Sequence, residues 1–378
     1  MEKTVQEPLN VAMIFDDLMI GGWTTIATAI PKFDRSRINP VIICLFGRGY
    51  HADLLEKEGF EIHFLGFNKQ NFLHKMLFLI SLLKEKKIDI VHTHLLLSHL
   101  IGQTAAALAG IPGRIMHVHA VEKDPGGIYG VWMKMIAKRA GMIISVSSSV
   151  ERTFLNTYPS FKGKRKVVHN GIDICEFRKR FASAALKRSD FGIGPENFCA
   201  MTVANFKSEK GHRYLVEAAL LLKDDNIRFL LIGEGSEKEG MLDEVKKHGL
   251  GKKFIFLGTR EDVPELLSLA DMMVLPSVEE GFGICLLEAF AAGIPVLSTD
   301  VNGISEIVEN GKTALLVSPS DPTALADGIE MLKQDKELRK KLSDSATERI
   351  IDFNIDKVVQ GYSDAYLKIG EMDGWMNG

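Results

Sequence analysis

Glu280 and Glu288, with seven residues between them in the run EEGFGICLLE, are the side chains whose type and spacing most directly suggest chemistry. They lie in a stretch from Ala270 to Thr299 that reads as strand, glycine-bracketed loop, short helix and strand. Met272 to Leu275 are apolar and closed by Pro276. Ile284 to Ala292 are strong helix formers that stop at Gly293, a residue suited to a left-handed C-terminal cap. Pro295 opens the next apolar run, Val296 to Ser298. Glu279 to Gly283 therefore fall at the mouth of a helix, where unpaired backbone amides and the helix dipole favour an anion. Glu288 sits about one turn inside that helix, on a side that can face the same mouth. One carboxylate at the entrance and another just inside can flank a ligand that itself carries phosphate.

A second group fits the same ligand. Ala204-Asn-Phe-Lys-Ser-Glu-Lys-Gly211 follows a strand and precedes a helix that starts at His212, so the Lys210 ammonium adds to that helix's N-terminal field. Its place beyond a strand end favours phosphate binding over a solvated surface lysine. His92 with His94, and His117 with His119, stand at period two, so each pair points to one side of its strand. With no accompanying cysteine, no H-E-x-x-H and no obvious third ligand, a polar wall or a set of structural histidines is expected rather than zinc. Gly233-Glu234-Gly235 imitates a dinucleotide fingerprint, but Lys238 occupies the place of its third glycine. Gly311-Lys312-Thr313 imitates a P-loop, but Glu306 stands where glycine is required. Neither is read as a nucleotide motif.

The elements that position these residues repeat one theme. Val11 to Phe15, Val41 to Phe46, Phe60 to Leu65, Ile88 to Thr93, Arg114 to Val118 and Met142 to Val146 are strand-like and mostly separated by helical stretches. A second series comprises Cys199 to Val203, Ile227 to Ile232, Lys253 to Leu257, Met272 to Leu275, Val296 to Ser298 and Ala314 to Val317. Such alternation predicts an α/β protein with two doubly wound domains, whose ligands gather at the C-terminal strand ends. The boundary is placed near residue 180, with Phe177 to Pro195 as a hinge or linker, which gives domains of 1–180 and 181–355. The last segment has helical periodicity, with Val358, Val359, Tyr362 and Tyr366 available to pack.

At 378 residues, 46% of them hydrophobic and 25% charged, the chain is long enough for two cores, and its net charge of -3 argues against a nucleic-acid partner. Its first ten residues lack a signal-peptide pattern, so a cytoplasmic location is expected. The longest apolar run, Met76 to Leu83, is too short to span a bilayer. Cys44, Cys175, Cys199 and Cys285 show no paired spacing and are expected to be reduced. Phe72 to Lys87 and Ile128 to Arg139 are amphipathic and basic. Covering the sheet is the commoner reason for such a stripe, and peripheral contact with anionic lipid at the inner face of a membrane is the alternative.

The run EEGFGICLLEAFAAGIPV resembles the Glu, seven residues, Glu signature of the retaining glycosyltransferases of family 4. The Gly21-Gly22 loop, KVVHNGID, EKGH, GTREDVPELLSLAD and the final helix follow in that family's order over nearly the whole chain. The resemblance implies the GT-B architecture, in which two Rossmann-like domains face each other across a cleft and a C-terminal helix, here about 356–378, crosses back to the N-terminal, acceptor-side domain. It implies transfer of a sugar from a nucleotide-diphosphate sugar to a saccharide or lipid-linked acceptor, with retention, in cell-surface polysaccharide or glycoconjugate synthesis. By the same resemblance Glu280 meets the sugar hydroxyls and Glu288 the ribose. The backbone of Gly281, Phe282, Gly283, Ile284 and Cys285 meets the diphosphate and sugar, Lys210 is its counter-cation, and Gly22 approaches from the other domain. The loop from Thr259 through Arg260 to Val263 holds the base, and His119 lies close to the transferred sugar. Asn205 stands where many members carry arginine. The expected chemistry needs fixed positive donors at the leaving diphosphate. The sequence contains no Asp-x-Asp motif, so no cofactor and no metal are expected. A nucleotide-sugar epimerase of the same architecture and a non-catalytic nucleotide-sugar-binding subunit are the alternative readings.

Overall fold

The computed structural model describes residues 7–19, 24–120 and 123–372, and the expectation for Gly22 lies outside the described residues. The chain divides into two units, one formed by residues up to Asn170 together with those from Ile355, the other by Gly171–Asn354.

In the first unit seven parallel strands, β1 (Leu9–Phe15), β2 (Ile38–Cys44), β3 (Ile62–Phe64), β4 (Ile90–His94), β5 (Gly113–Val118), β6 (Met142–Ser145) and β7 (Lys164–Val167), are ordered β3-β2-β1-β4-β5-β6-β7. Helices α1 (Thr24–Ala29), α2 (Tyr50–Lys57), α3 (Phe72–Glu85), α4 (Leu96–Ala109), α5 (Gly127–Arg139) and α6 (Ser148–Thr157) connect them. From Val11 onward strand β1 reads as an unbroken apolar run because it is covered on both faces. Its alternate residues serve different cores: Val11, Met13 and Phe15 one layer, Ala12 and Ile14 the layer beneath α3 and α4. The first layer is completed from the far end of the sequence by α14 (Ile355–Met372), which buries Val358, Tyr362, Ala365, Tyr366 and Ile369.

The second unit opens with α7 (Ile174–Ala182) and continues through β8 (Phe198–Val203), α8 (His212–Leu221), β9 (Ile227–Ile232), α9 (Lys238–Lys247), β10 (Phe254–Gly258), α10 (Val263–Leu267), β11 (Met272–Leu275), α11 (Ile284–Ala292), β12 (Val296–Thr299), β13 (Leu315–Val317), α12 (Pro322–Gln334) and α13 (Lys336–Arg349). Its sheet order, β10-β9-β8-β11-β12-β13, repeats that of the first unit's first six strands. In each sheet the order reverses beside the first strand, between β1 and β4 and between β8 and β11. Loops part at that point and leave a crevice beyond the strand ends.

Two expectations differ from the structure. The division falls after Asn170, not near 180, and much of the expected linker is helix α7. Asp173 caps its start by accepting from the Glu176 amide, and Ile174 and Phe177 are buried. Strand β7, Lys-Arg-Lys-Val, carries no apolar alternation. It is an edge strand that pairs only with β6, where charge is tolerated.

Candidate functional site

The Glu280 run occupies the β11–α11 connection at the order reversal of the second sheet. Gly283 precedes α11 at φ 86° and Gly293 follows it at φ 69°, so the left-handed cap read from the sequence is present at the C-terminus. The buried Phe282 ring meets Phe353 edge-on at 5.8 Å and anchors the loop. A side chain at Gly303 would run into the backbone of Glu280 and Gly281, so a glycine there lets the segment after β12 close against the loop.

Lys210 reaches the same loop from β8. It ends a short 3-10 turn, Ser208–Lys210, and Gly211 follows at φ 67°, where glycine is favoured both by that backbone angle and because a Cβ would collide with the Pro276 carbonyl. The amides of Val278 and Glu279 donate to the Glu209 carbonyl, which binds the two loops together. The Lys210 ammonium then donates to Glu280 Oε2 at 2.7 Å, with both side chains largely enclosed. Burial opposes the lysine's charge, and the Glu280 carboxylate outweighs it, so its pKa stands above the usual lysine value. Ser277, buried at the end of β11, donates to the same Glu280 oxygen at 3.3 Å.

Glu288, one turn into α11, is pushed up to about 7 by burial, opposed by the Arg180 guanidinium. Arg180, on α7, also grips Glu265 with two 2.8 Å hydrogen bonds. Cys285 is held well above the ordinary thiol range by burial and by both glutamates, so it is no nucleophile. Asn205 is exposed just past β8. Arg260 makes a bidentate pair with Asp262 at 2.7 and 2.5 Å, which rigidifies the turn before Val263 opens α10. Lys210, Glu280, Ile284, Cys285 and Glu288 are thus gathered around one helix mouth, while the Arg260 side chain is engaged in its own turn.

In the first unit the histidines form a packed array. His92, His94 and His117 are fully buried, and their ligand-capable nitrogens lie within 4.8 Å of one another. The sequence reading found no third partner for either His pair. Parallel pairing sets His94 opposite His117, which brings the two pairs together. The His92 and His117 rings stack at 5.2 Å and 15°, and His117 stacks on His119 at 4.0 Å. His92 Nδ1 is 2.8 Å from the Tyr366 hydroxyl, and His94 Nδ1 is 2.9 Å from His119 Nε2. Burial holds His92, His94 and His117 far below the usual histidine range and His119 at about 3, so all four are neutral at physiological pH. Asp16, just past β1, accepts from the Ser98 amide at the start of α4, and burial lifts it to about 6.

Sequence reasoning missed Ser277, Arg180 and the His94–His119 contact. Ser277 directly follows Pro276 at the strand end, a signal that was available. Arg180 and His94 meet their partners only through tertiary packing, which leaves no mark in local spacing.

Two Rossmann-like parallel sheets with a C-terminal helix returned to the first unit define an α/β protein of the GT-B class. The family model of glycosyl transferases group 1 matches residues 184–349, and that of glycosyltransferase family 4 matches residues 21–176. The chain belongs to glycosyltransferase family 4. It is 26% identical over 310 residues, 78% of this chain and 79% of the other, to UDP-Gal:alpha-D-GlcNAc-diphosphoundecaprenol alpha-1,3-galactosyltransferase of Escherichia coli. It is 27% identical over 299 residues, 76% of each chain, to N-acetyl-alpha-D-glucosaminyl L-malate synthase of Bacillus anthracis. The fold is similar to that of Anabaena HepE solved with UDP-glucose, with a TM-score of 0.82, 20% identity and coverage of 95% of this chain and 100% of that one. Neither relative is named as an epimerase or a binding subunit, and the chain is a glycosyltransferase.

Proposed function

We propose that the enzyme transfers a sugar from a nucleotide-diphosphate sugar to a saccharide or lipid-linked acceptor, with retention at the anomeric carbon and without a metal ion, in cell-surface polysaccharide or glycoconjugate synthesis. The observation that carries this reading is the Lys210–Glu280 pair at the mouth of α11. Breaking the sugar–phosphate bond places negative charge on the diphosphate and oxocarbenium character on the sugar. An ammonium kept charged beside a helix N-terminus stabilises the first, and an adjacent carboxylate suits the hydroxyls of the second. Lys210 is paired with Glu280. An arriving diphosphate competes for the ammonium and frees the carboxylate for the sugar. Ser277 keeps Glu280 in place during that exchange. Glu288, poised near 7, can accept from or donate to a ribose hydroxyl. Asn205 adds no charge, so Lys210 and the helix field carry the leaving group. We assign His119 to the transferred sugar and the turn from Thr259 to Val263 to the base.

The same proposal extends to where the acceptor lies. Helices α3, α4 and α5 pack side by side, with the Trp132 indole donating to Thr104 across α5 and α4. They leave Leu73, Leu77, Phe78, Leu108, Ile128, Val131 and Met135 exposed among Lys75, Lys134 and Lys138. Exposed apolar side chains with lysines on the same helices suit peripheral contact with an anionic membrane. Among the described residues no helix is long and apolar enough to cross one.

The test is a thermal-shift panel of nucleoside diphosphates and their sugars, followed by transfer assays with the donor that binds, with and without EDTA. Lys210→Ala and Glu280→Ala are each expected to lower kcat by roughly 100- to 1,000-fold. Wild-type turnover in either sinks the assignment. EDTA is expected to leave the rate unchanged, and loss of turnover restored by a divalent ion would overturn metal independence. Retention is read from the product's anomeric configuration.

A further inference from the structure

His94 is not itself in the position the family assigns to a sugar contact, yet it is fully buried and packed among aromatic rings. Its imidazole lies against the Phe15 ring at 4.5 Å and 9°, with His92 at 4.3 Å and His117 at 5.2 Å on other sides. The Ser98 hydroxyl donates to its carbonyl. Leu95, the next residue, has φ 68° and ψ 170°, a backbone region almost confined to glycine. The chain thus accepts local strain where β4 hands over to α4, which fixes the backbone that carries His94, while the packed rings enclose its imidazole. From that ring Nδ1 meets His119 Nε2 at 2.9 Å.

We propose that His94 is a positioning residue for His119, fixing its ring orientation and the hydrogen-bonding role of its other nitrogen. A neutral imidazole carries hydrogen on one nitrogen and accepts at the other. If His94 donates from Nδ1, His119 accepts at Nε2 and must carry its hydrogen on Nδ1, which becomes a donor. If His119 donates from Nε2, its Nδ1 is an acceptor. Either way the pair shares one proton and the tautomers change only together, so His119 cannot switch what it offers a ligand independently of His94. This rests on the reading of His119 as a sugar-contacting residue only for its catalytic consequence. The hold of one ring on the other is independent of it.

The experiment uses the full chain labelled with 15N-histidine, with the His119 ring signals assigned through His119→Gln, alongside transfer kinetics. Wild type is expected to show one His119 tautomer. His94→Leu is expected to give mixed tautomers and to lower kcat about 10- to 100-fold, because a buried polar atom loses its partner. The donor KM should stay within about twofold, since ground-state binding is untouched. An asparagine amide reaches the place of Nδ1 and a glutamine amide that of Nε2, so His94→Asn should restore most of the rate and His94→Gln should not. A folded His94→Leu protein with wild-type ring signals and kcat overturns the proposal. If His94→Leu does not fold, equal rates in the asparagine and glutamine variants overturn it. Wild-type turnover in His119→Ala removes the sugar-contact reading instead, while the ring signals still decide the pair.

Discussion

A carboxyl group with an ordinary pKa of 4.5 that stands at about 7 in the fold, as Glu288 does, is uncomfortable when charged. Its pKa is raised by folding, so its ionisation costs nothing below 4.5 and progressively destabilises the protein as pH rises from 4.5 through about 7. Glu288→Gln removes that cost. Its melting temperature should exceed wild type by on the order of a few degrees above pH 7 and converge with it below the carboxyl's ordinary range, in melts taken across pH. Superimposable profiles would show that Glu288 is no more perturbed than a surface acid. Glu280, Glu288 and Lys210 were legible in the sequence because each is placed by its own strand, loop and helix. The partners that tune them were not. Arg180 comes from α7 and His94 faces His119 across two strands, and such distances in sequence close only when the sheets form.

Helices and strands follow the same division. Strand β11 and most of β1 and β8 announce themselves by apolar runs because both faces are covered. Strand β7 does not, since an edge with one neighbour needs no apolar face. Helix α7 was hidden by its charged residues, although its N-cap aspartate was in plain view. Helix α14 was legible as a helix, and the first of its two glycines has a packing reason. A Cβ on Gly361 would stand 2.8 Å from Val168 Cγ1, so the bare backbone lets α14 lie close to the sheet. Gly361→Val should destabilise the first unit by about 1–3 kcal/mol, measured by denaturant unfolding. At α3 and α5, Leu77→Glu with Ile128→Glu should abolish flotation with anionic vesicles while leaving transfer to a water-soluble acceptor intact. Unchanged flotation would assign those apolar stripes no lipid.

At the scale of the molecule, the histidine array ties stability to acidity. His92, His94, His99 and His117 are buried and neutral, with folded pKa values depressed below 6.5 by desolvation and by one another. The groups that face them are His119, Tyr362, Tyr366, Thr93 and Phe15. A depressed pKa means the unfolded chain binds protons first, so stability is complete above 6.5 and is lost as pH falls below it toward the folded values, about 3 for His99. Urea midpoints measured at successive pH values should fall steadily on acidification, and less steeply in His117→Phe. The closure of the first unit by α14 has a consequence in time. The second unit is one unbroken stretch, Gly171–Asn354, and can fold on the ribosome as soon as it has emerged. The first unit is begun earlier but lacks Val358, Tyr362, Ala365, Tyr366 and Ile369 until the whole second unit has been made. The half synthesised first is therefore the half completed last, and a nascent chain stalled before Ile355 should expose its β1 layer to proteases and chaperones while its second unit is already resistant.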